Sequence, residues 1–280
     1  MSDWRAAIDG FLRGKEDDLR AARRYLHAHP EPSREEYQTT KWLVRQLAEA
    51  GIPHRVPDSG RGVIAGPEPR DGQLLVAIRA DMDGLRIQDE KSVPYRSSKD
   101  GLMHACGHDA HTTMGLGAAL ALHAAADALP EGIAWRAIFQ PSEESGDGAL
   151  EMIASGAMEG VGAVVTLHVD PEQEVGRVAR RYGPMTACCL EVHIAVHGRG
   201  GHAARPHQAI DPLAAAVQFL SASYQSVPRA VDSRDPVVLT FGAISGGVNA
   251  NVIPDKVLIR GTIRTFSPAL AATVEKKLRA

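Results

Sequence analysis

Residues 74–83 read LLVAIRADMD. Leu74 to Ile78 are apolar without a break, and two carboxylates, Asp81 and Asp83, follow at once. An unbroken apolar run of this length marks a strand covered on both faces, the kind that fills the middle of a parallel sheet. Two more runs end in the same way. AWRAIF at 134–139 leads into Gln140-Pro141-Ser142-Glu143-Glu144, and AVVTL at 163–167 leads into His168-Val169-Asp170. A shorter run, GVIA, lies at 62–65. Helix-like segments at 112–129 and 149–157 separate the later runs. The first fifty residues are helical in pattern, with Ser33 and Glu36 spaced as a capping box. Thr40, Leu43, Val44 and Leu47 repeat at helical spacing up to a stop at Gly51. Strands alternating with helices predict an α/β fold with a mainly parallel sheet covered by helices.

The texture changes after Gly183-Pro184. Leu190, Val192, Ile194 and Val196 alternate with Glu191, His193 and His197, as in a strand with one wet face. Asp211-Pro212 then opens a helix, strands follow at 237–244 and 257–265, and Ser267-Pro268 opens another helix. The order β-α-β-β-α lacks one strand of a split βαβ, ferredoxin-like α+β unit. At about 150 residues per domain, 280 residues fit two domains, placed at 1–184 and 185–280.

Composition excludes several classes. Hydrophobic residues at 44% and charged residues at 23% are those of a globular chain, not a disordered or fibrous one. A net charge of −3 gives no field to draw in nucleic acid or an acidic membrane. The Arg23-Arg24 and Arg180-Arg181 pairs have no interleaved aromatics that would make a nucleic-acid platform. The stretch 114–129 is too short and too polar to span a bilayer. The first residues are charged throughout, which predicts no secretory leader. Cys106, Cys188 and Cys189 form no disulfide framework and fit a reducing, cytoplasmic setting, the last two as ordinary strand residues.

Chemistry gathers at the strand ends, where open α/β sheets bind their ligands. The segment HACGHDAH at 104–111 adds a thiol and three imidazoles just before a helix. Thiolate, imidazole and carboxylate are the ligands of zinc and its transition-metal neighbours. In an extended segment, Glu143 and Glu144 point opposite ways, so one can ligate a metal while the other faces a water. His168 ends an apolar strand and reads as a ligand. Asp81 and Asp83 read as carboxylates that orient ligands, or one of them as a ligand itself. Gly198 to His202 resembles a phosphate loop only weakly, since no Lys-Ser/Thr follows. Arg264 shares a strand face with Arg260, which suits a solvated edge as well as a site.

Seven motifs then appear in order: RADMDGL, MHACGHDAHTTMGLGAA, FQPSEESGDGA, LHVDP, GRGGHAARPH, NVIPD and GTIRTF. Together they resemble the dinuclear-metal amidohydrolases of the aminoacylase/carboxypeptidase superfamily, which includes hippurate hydrolases, indole-acetyl-amino-acid hydrolases and N-acetyldiaminopimelate deacetylases. The resemblance implies a metal-dependent amidohydrolase of N-acyl amino acids holding two divalent ions, Zn2+ or Mn2+, with Co2+ or Ni2+ as substitutes. It implies Cys106, His108, Glu144 and His168 as ligands, Cys106 bridging the ions, Glu143 as general base and Asp83 as an orienting carboxylate. His202 would reach across a homodimer to stabilise the oxyanion, and Asn251 and Arg264 would bind the substrate carboxylate. The smaller domain would be a lid and dimerisation unit. Relatives in this superfamily run well past residue 280 and carry a further ligand histidine there. The alternatives are a dipeptidase or deacetylase of the same family, or a truncated, catalytically silent dimerisation module.

Overall fold

A computed structural model of the chain describes residues 3–279. It divides into two compact units, Met1–Glu174 and Val175–Ala280, a division that precedes the Gly183-Pro184 turn. The first unit contains α1 (Trp4–Gly14), α2 (Glu16–Ala28), α3 (Tyr37–Glu49), β1 (His54–Arg55), β2 (Val63–Ala65) and β3 (Leu74–Asp81). It continues with α4 (His108–Ala124), β4 (Ile133–Gln140), α5 (Gly148–Ala154) and β5 (Val161–Thr166). The sheet order is β1-β2-β4-β3-β5. The three long strands are parallel, with β3 between β4 and β5, and short β2 and β1 continue the sheet antiparallel. Asp81 pairs with Gln140 and Arg79 with Thr166, so all three long strands end at the same edge.

The apolar runs are buried as their composition requires. On one face Ala80, Met82, Trp135 and Phe139 pack with Leu26, Trp42, Leu43, Leu47 and Leu116 from α2, α3 and α4. On the other, Ile64, Ala77 and Ile138 pack with Met152 of α5 and with Ala157. Strand β5 departs from the expectation of a buried strand. Among the described residues it pairs only with β3, and as an edge strand it leaves Val164 46% and Val165 48% exposed.

Two helix starts also differ from the sequence reading. Ser33 and Glu36 form no capping box, because each has a more distant partner. The Ser33 hydroxyl donates to Asp83 at 2.6 Å, and Glu36 carries no capping bond at the start of α3. Glu31 fills that place, accepting the Gln38 and Thr39 N–H groups at 3.1 and 2.7 Å. Helix α4 starts at His108, four residues before the predicted Thr112. Gly107, at φ +86°, turns the chain into the helix, and its carbonyl accepts from Ala110 and His111. The polar first turn looked like loop in sequence, yet its side chains find partners inside the fold, although Asp109 Oδ1 is left without one. Asp109 accepts from His27 and Arg23 at 2.8 Å each.

The second unit contains β6 (Cys188–His197), β7 (Gly201–His202), α6 (Pro212–Ser226), β8 (Val237–Ser245), β9 (Val252–Ile253), β10 (Lys256–Thr265) and α7 (Pro268–Arg279). Strands β6-β10-β8 form an antiparallel sheet, and β7 and β9 a separate ribbon. The predicted alternation holds. Val257, Ile259 and Ile263 pack beneath α6 and α7, while Glu191, His193, Arg260 and Arg264 are exposed. Asp211 caps α6 by accepting the Leu213 and Ala214 N–H groups. Among the described residues no helix is long and apolar enough to cross a membrane.

Candidate metal centre

Four segments meet at the shared edge of the first unit's sheet. Strand β3 ends in Asp81 and is followed by Asp83. The Gly107 turn presents Cys106 and places His108 and His111 in the first turn of α4. Strand β4 runs into Glu143 and Glu144, and β5 into His168. Residues 143–146 form a turn, in which the Gly146 N–H donates to the Glu143 carbonyl at 2.9 Å. The expectation of two carboxylates pointing opposite ways is therefore corrected: both approach the same imidazole. His168 is exposed, contrary to the buried strand end that suggested a ligand, yet its Nε2 lies 3.4 Å from Cys106 Sγ.

His108 is the centre of the arrangement. Its Nδ1 lies 3.2 Å from Asp83 Oδ1, and donation there leaves the Nε2 lone pair facing inward. Around that nitrogen stand carboxylate oxygens of Asp81 at 3.6 Å, Glu144 at 3.7 Å and Glu143 at 3.9 Å. Acceptor atoms face one another at distances too long for hydrogen bonds and suited to a shared cation. Cys106, His108 and Glu144 offer ligand atoms that all lie within 4.8 Å of one another. Asp81, His108 and His111 form a second such group, but His111 is already committed. Its Nδ1 bonds Asp81 Oδ1 at 2.7 Å, and its Nε2 accepts the Val169 N–H at 2.9 Å.

The charges tell the same story. Burial first, and then Glu144, Glu143 and Asp81, push the Cys106 thiol up to about 12. Burial raises Glu144, and Glu143 and Asp83 raise it further against the pull of His108. Burial opposes the charged form of His108, but the Asp83 bond and the surrounding carboxylates prevail and raise it. All three groups favour the extra proton, as expected where negative charge is in excess. A divalent cation is the counter-charge that lets thiolate, neutral imidazole and carboxylate share one site, so the donor set fits it. Asp83 is the exception, and an informative one. Burial would raise it, but bonds from His108, Ser33 and the Glu144 N–H hold it at about 2. Asp81 is likewise lowered against its burial, chiefly by His111.

Residues 77–271 match the peptidase family M20/M25/M40. The chain belongs to the M20 peptidase family. Two relatives show the company it keeps. It is 40% identical to the N-acetyl-L-cysteine deacetylase of Bacillus subtilis, over 94% of this chain and 62% of that protein. It is also 40% identical to the N-acyl-L-amino acid amidohydrolase of Geobacillus stearothermophilus, over 92% of this chain and 69% of that protein. The chain thus spans about two thirds of their length. A solved M20 structure, the Bacillus subtilis YXEP protein, is a dinuclear metal-binding peptidase. It superposes with a TM-score of 0.77 at 34% identity, over 95% of this chain and 69% of that one.

The other sequence candidates of this M20 chain lie in the second unit. His202 on β7 pairs with Val252 on β9, and the Asn251 carbonyl accepts the Ala203 N–H at 3.0 Å, so His202 and Asn251 share one ribbon. The His202 Nδ1 accepts the Ala204 N–H at 3.1 Å, which leaves Nε2 to carry the proton as an exposed donor. Arg264 is apart from them in the three-stranded sheet, exposed between Cys189 and Val238.

Sequence reasoning did not single out His111, and it placed Ser33 and Glu36 in a helix cap and not at the site. For His111 a signal existed, because it lies three residues after His108 and so shares a face of the same helix. The spacing of Ser33 and Glu36 marks only a helix cap, and no local pattern marks their actual partners, which are far away in the chain.

Proposed function

We propose that this chain carries a divalent-metal-dependent amidohydrolase activity that cleaves N-acyl amino acids into a carboxylate and a free amino acid. The observation that carries the reading is the convergence of Cys106, His108, Glu144 and His168 beside Glu143. Cys106, His108, Glu144 and His168 would hold two divalent ions. Bound there, Zn2+ or Mn2+, with Co2+ or Ni2+ as substitutes, would supply Lewis-acid activation of water and of an acyl carbonyl. Glu143, whose side chain is 40% exposed, takes the proton of the attacking water at its carboxylate. It returns that proton to the amine nitrogen as the amide bond breaks. Asp83 fixes the ring of His108, and His202, with its proton on Nε2, donates to the developing oxyanion. Asn251 and Arg264 receive the carboxylate of the substrate. The second unit acts as the lid, and a second copy of the chain is its partner in a homodimer. All three cysteines are free, which supports a cytoplasmic setting.

The test is hydrolysis of N-acetyl-methionine and of hippurate by the 280-residue chain with added Zn2+ or Mn2+. Turnover is expected to need metal and to fall by about 10²- to 10⁴-fold in Glu143→Gln, with metal content unchanged. Near wild-type turnover in that variant would refute the assignment of the base.

A further inference from the structure

We propose that Glu36 is a positioning residue. It holds the Ser142 backbone in a left-handed turn and thereby aims Glu143 and Glu144 at the metal-binding cluster. The inference rests on the reading of Glu143 as base and Glu144 as ligand.

Three observations carry it. The first is the backbone itself. Ser142 sits at φ +54°, one of two described non-glycine residues with positive φ, and it is fully buried. An L-residue pays roughly tenfold in population to stay there, so something must hold it. The second is what holds it. The Ser142 N–H donates to Glu36 Oε1 at 2.6 Å. Arg61 donates to Glu36 Oε2 at 3.2 Å and to the Ser142 hydroxyl at 2.8 Å. The Arg34 N–H also donates to that hydroxyl, at 3.0 Å. The Ser142 carbonyl accepts the Gly148 N–H at 3.1 Å, and a Cβ at Gly148 would overlap the Pro141 carbonyl oxygen. The third is the other end of the elbow, where the Glu144 N–H donates to Asp83 at 3.0 Å. The two functional carboxylates thus hang from a segment pinned at 142 by Glu36 and at 144 by Asp83.

Glu36 is itself 0% exposed, and burying a carboxylate is costly unless it is paired and hydrogen-bonded. Its own helix makes no use of the side chain, since α3 has no capping bond from it. Apart from a bond with its own backbone N–H, this buried group bonds the turn before the site and Arg61, which also bonds Glu151 of α5 at 2.8 Å. A purely structural tie between α3 and the sheet would not need the strained residue next to Glu143 as its target.

The test uses the 280-residue chain and reads equilibrium Zn2+ affinity by competition with a chromophoric chelator, beside circular dichroism to confirm folding. Removing a group that orients a ligand costs about 10- to 100-fold in metal affinity. Glu36→Ala is expected to show that loss while folded, and Glu36→Gln, which keeps an oxygen for the Ser142 N–H, to recover most of it. A folded Glu36→Ala chain that binds Zn2+ as tightly as the unsubstituted one overturns the proposal. Should Glu36→Ala not fold, a second pair decides. Ser142→Gly tolerates positive φ and Ser142→Thr resists it, so the glycine variant should bind at least about tenfold more tightly. Equal affinities overturn the proposal. Failure of the unsubstituted chain to bind Zn2+ or Mn2+ overturns the metal reading itself, which separates that failure from failure of the Glu36 inference.

Discussion

Replacing Asp83 by asparagine is a sharp test of how the site is held. The carboxylate is 1% exposed and accepts from three donors: His108 Nδ1 at 3.2 Å, the Ser33 hydroxyl at 2.6 Å and the Glu144 N–H at 3.0 Å. Its burial opposes ionisation, yet these bonds hold it at about 2 against an ordinary 3.8. At about 1.4 kcal/mol per pH unit, that difference amounts to roughly 2 to 3 kcal/mol of stability at neutral pH. Asparagine keeps the shape, loses the charge and turns an NH2 group towards at least one buried donor. The sign follows from the lowered value. The contribution is fully present above the unfolded-state value of 3.8 and is lost as pH falls through about 2. Urea unfolding of the metal-free chain, with chelator present, measures it. Trp4, Trp42 and Trp135 all lie in the first unit, so tryptophan fluorescence reports on the unit that contains the site. The unsubstituted chain should exceed Asp83→Asn by roughly 2 to 3 kcal/mol at pH 7, shrinking to about half of that at pH 3. A difference under about 0.5 kcal/mol at pH 7, or one that stays constant down to pH 3, would refute the argument that a buried anion organises these donors.

Three further outcomes follow from the same geometry. Gly107→Ala forces an L-residue to φ +86° with its Cβ against Val169, so it should cost more than about 1 kcal/mol in urea unfolding. Because Val169 follows His168, the same variant should also weaken Zn2+ binding in a chelator competition. Cys106→Ser should lower the metal-to-protein ratio found by elemental analysis, and an unchanged ratio would remove the sulfur from the ligand set. Asp109→Ala removes the buried acceptor shared by His27 Nδ1 and Arg23 and should destabilise the first unit by about 3 kcal/mol, measured as a drop in urea midpoint.

The chemistry of the site was readable in the sequence because it is carried by local patterns. An apolar run followed within a few residues by Asp81 and Asp83, by Glu143 and Glu144, or by His168 announces a strand end bearing side chains of metal-binding type. Parallel pairing then brings such ends to one edge as a matter of topology. The alternation along β6 and β10 announced a sheet with one wet face for the same reason, since side-chain direction has a period of two.

What was not readable is which polar group answers which. Ser33 is spaced to cap its own helix, but its hydroxyl serves Asp83, 50 residues away. Glu36 serves Ser142, 106 residues away. Glu143 and Glu144 occupy a turn and not an extended segment, because Ser142 is held at positive φ by that distant contact. A short run of apolar residues looks alike in a central strand and at an edge, and among the described residues β5 pairs only with β3. By itself the sequence determined the long strands, their chemically loaded ends and the kinds of side chain gathered there, since hydrophobic periodicity and side-chain chemistry belong to neighbouring residues. Only the tertiary structure decided the orientation of those side chains and the partners that hold them. A hydrogen bond depends on a donor and an acceptor arriving within about 3 Å, and chain spacing does not encode that when the two come from different elements.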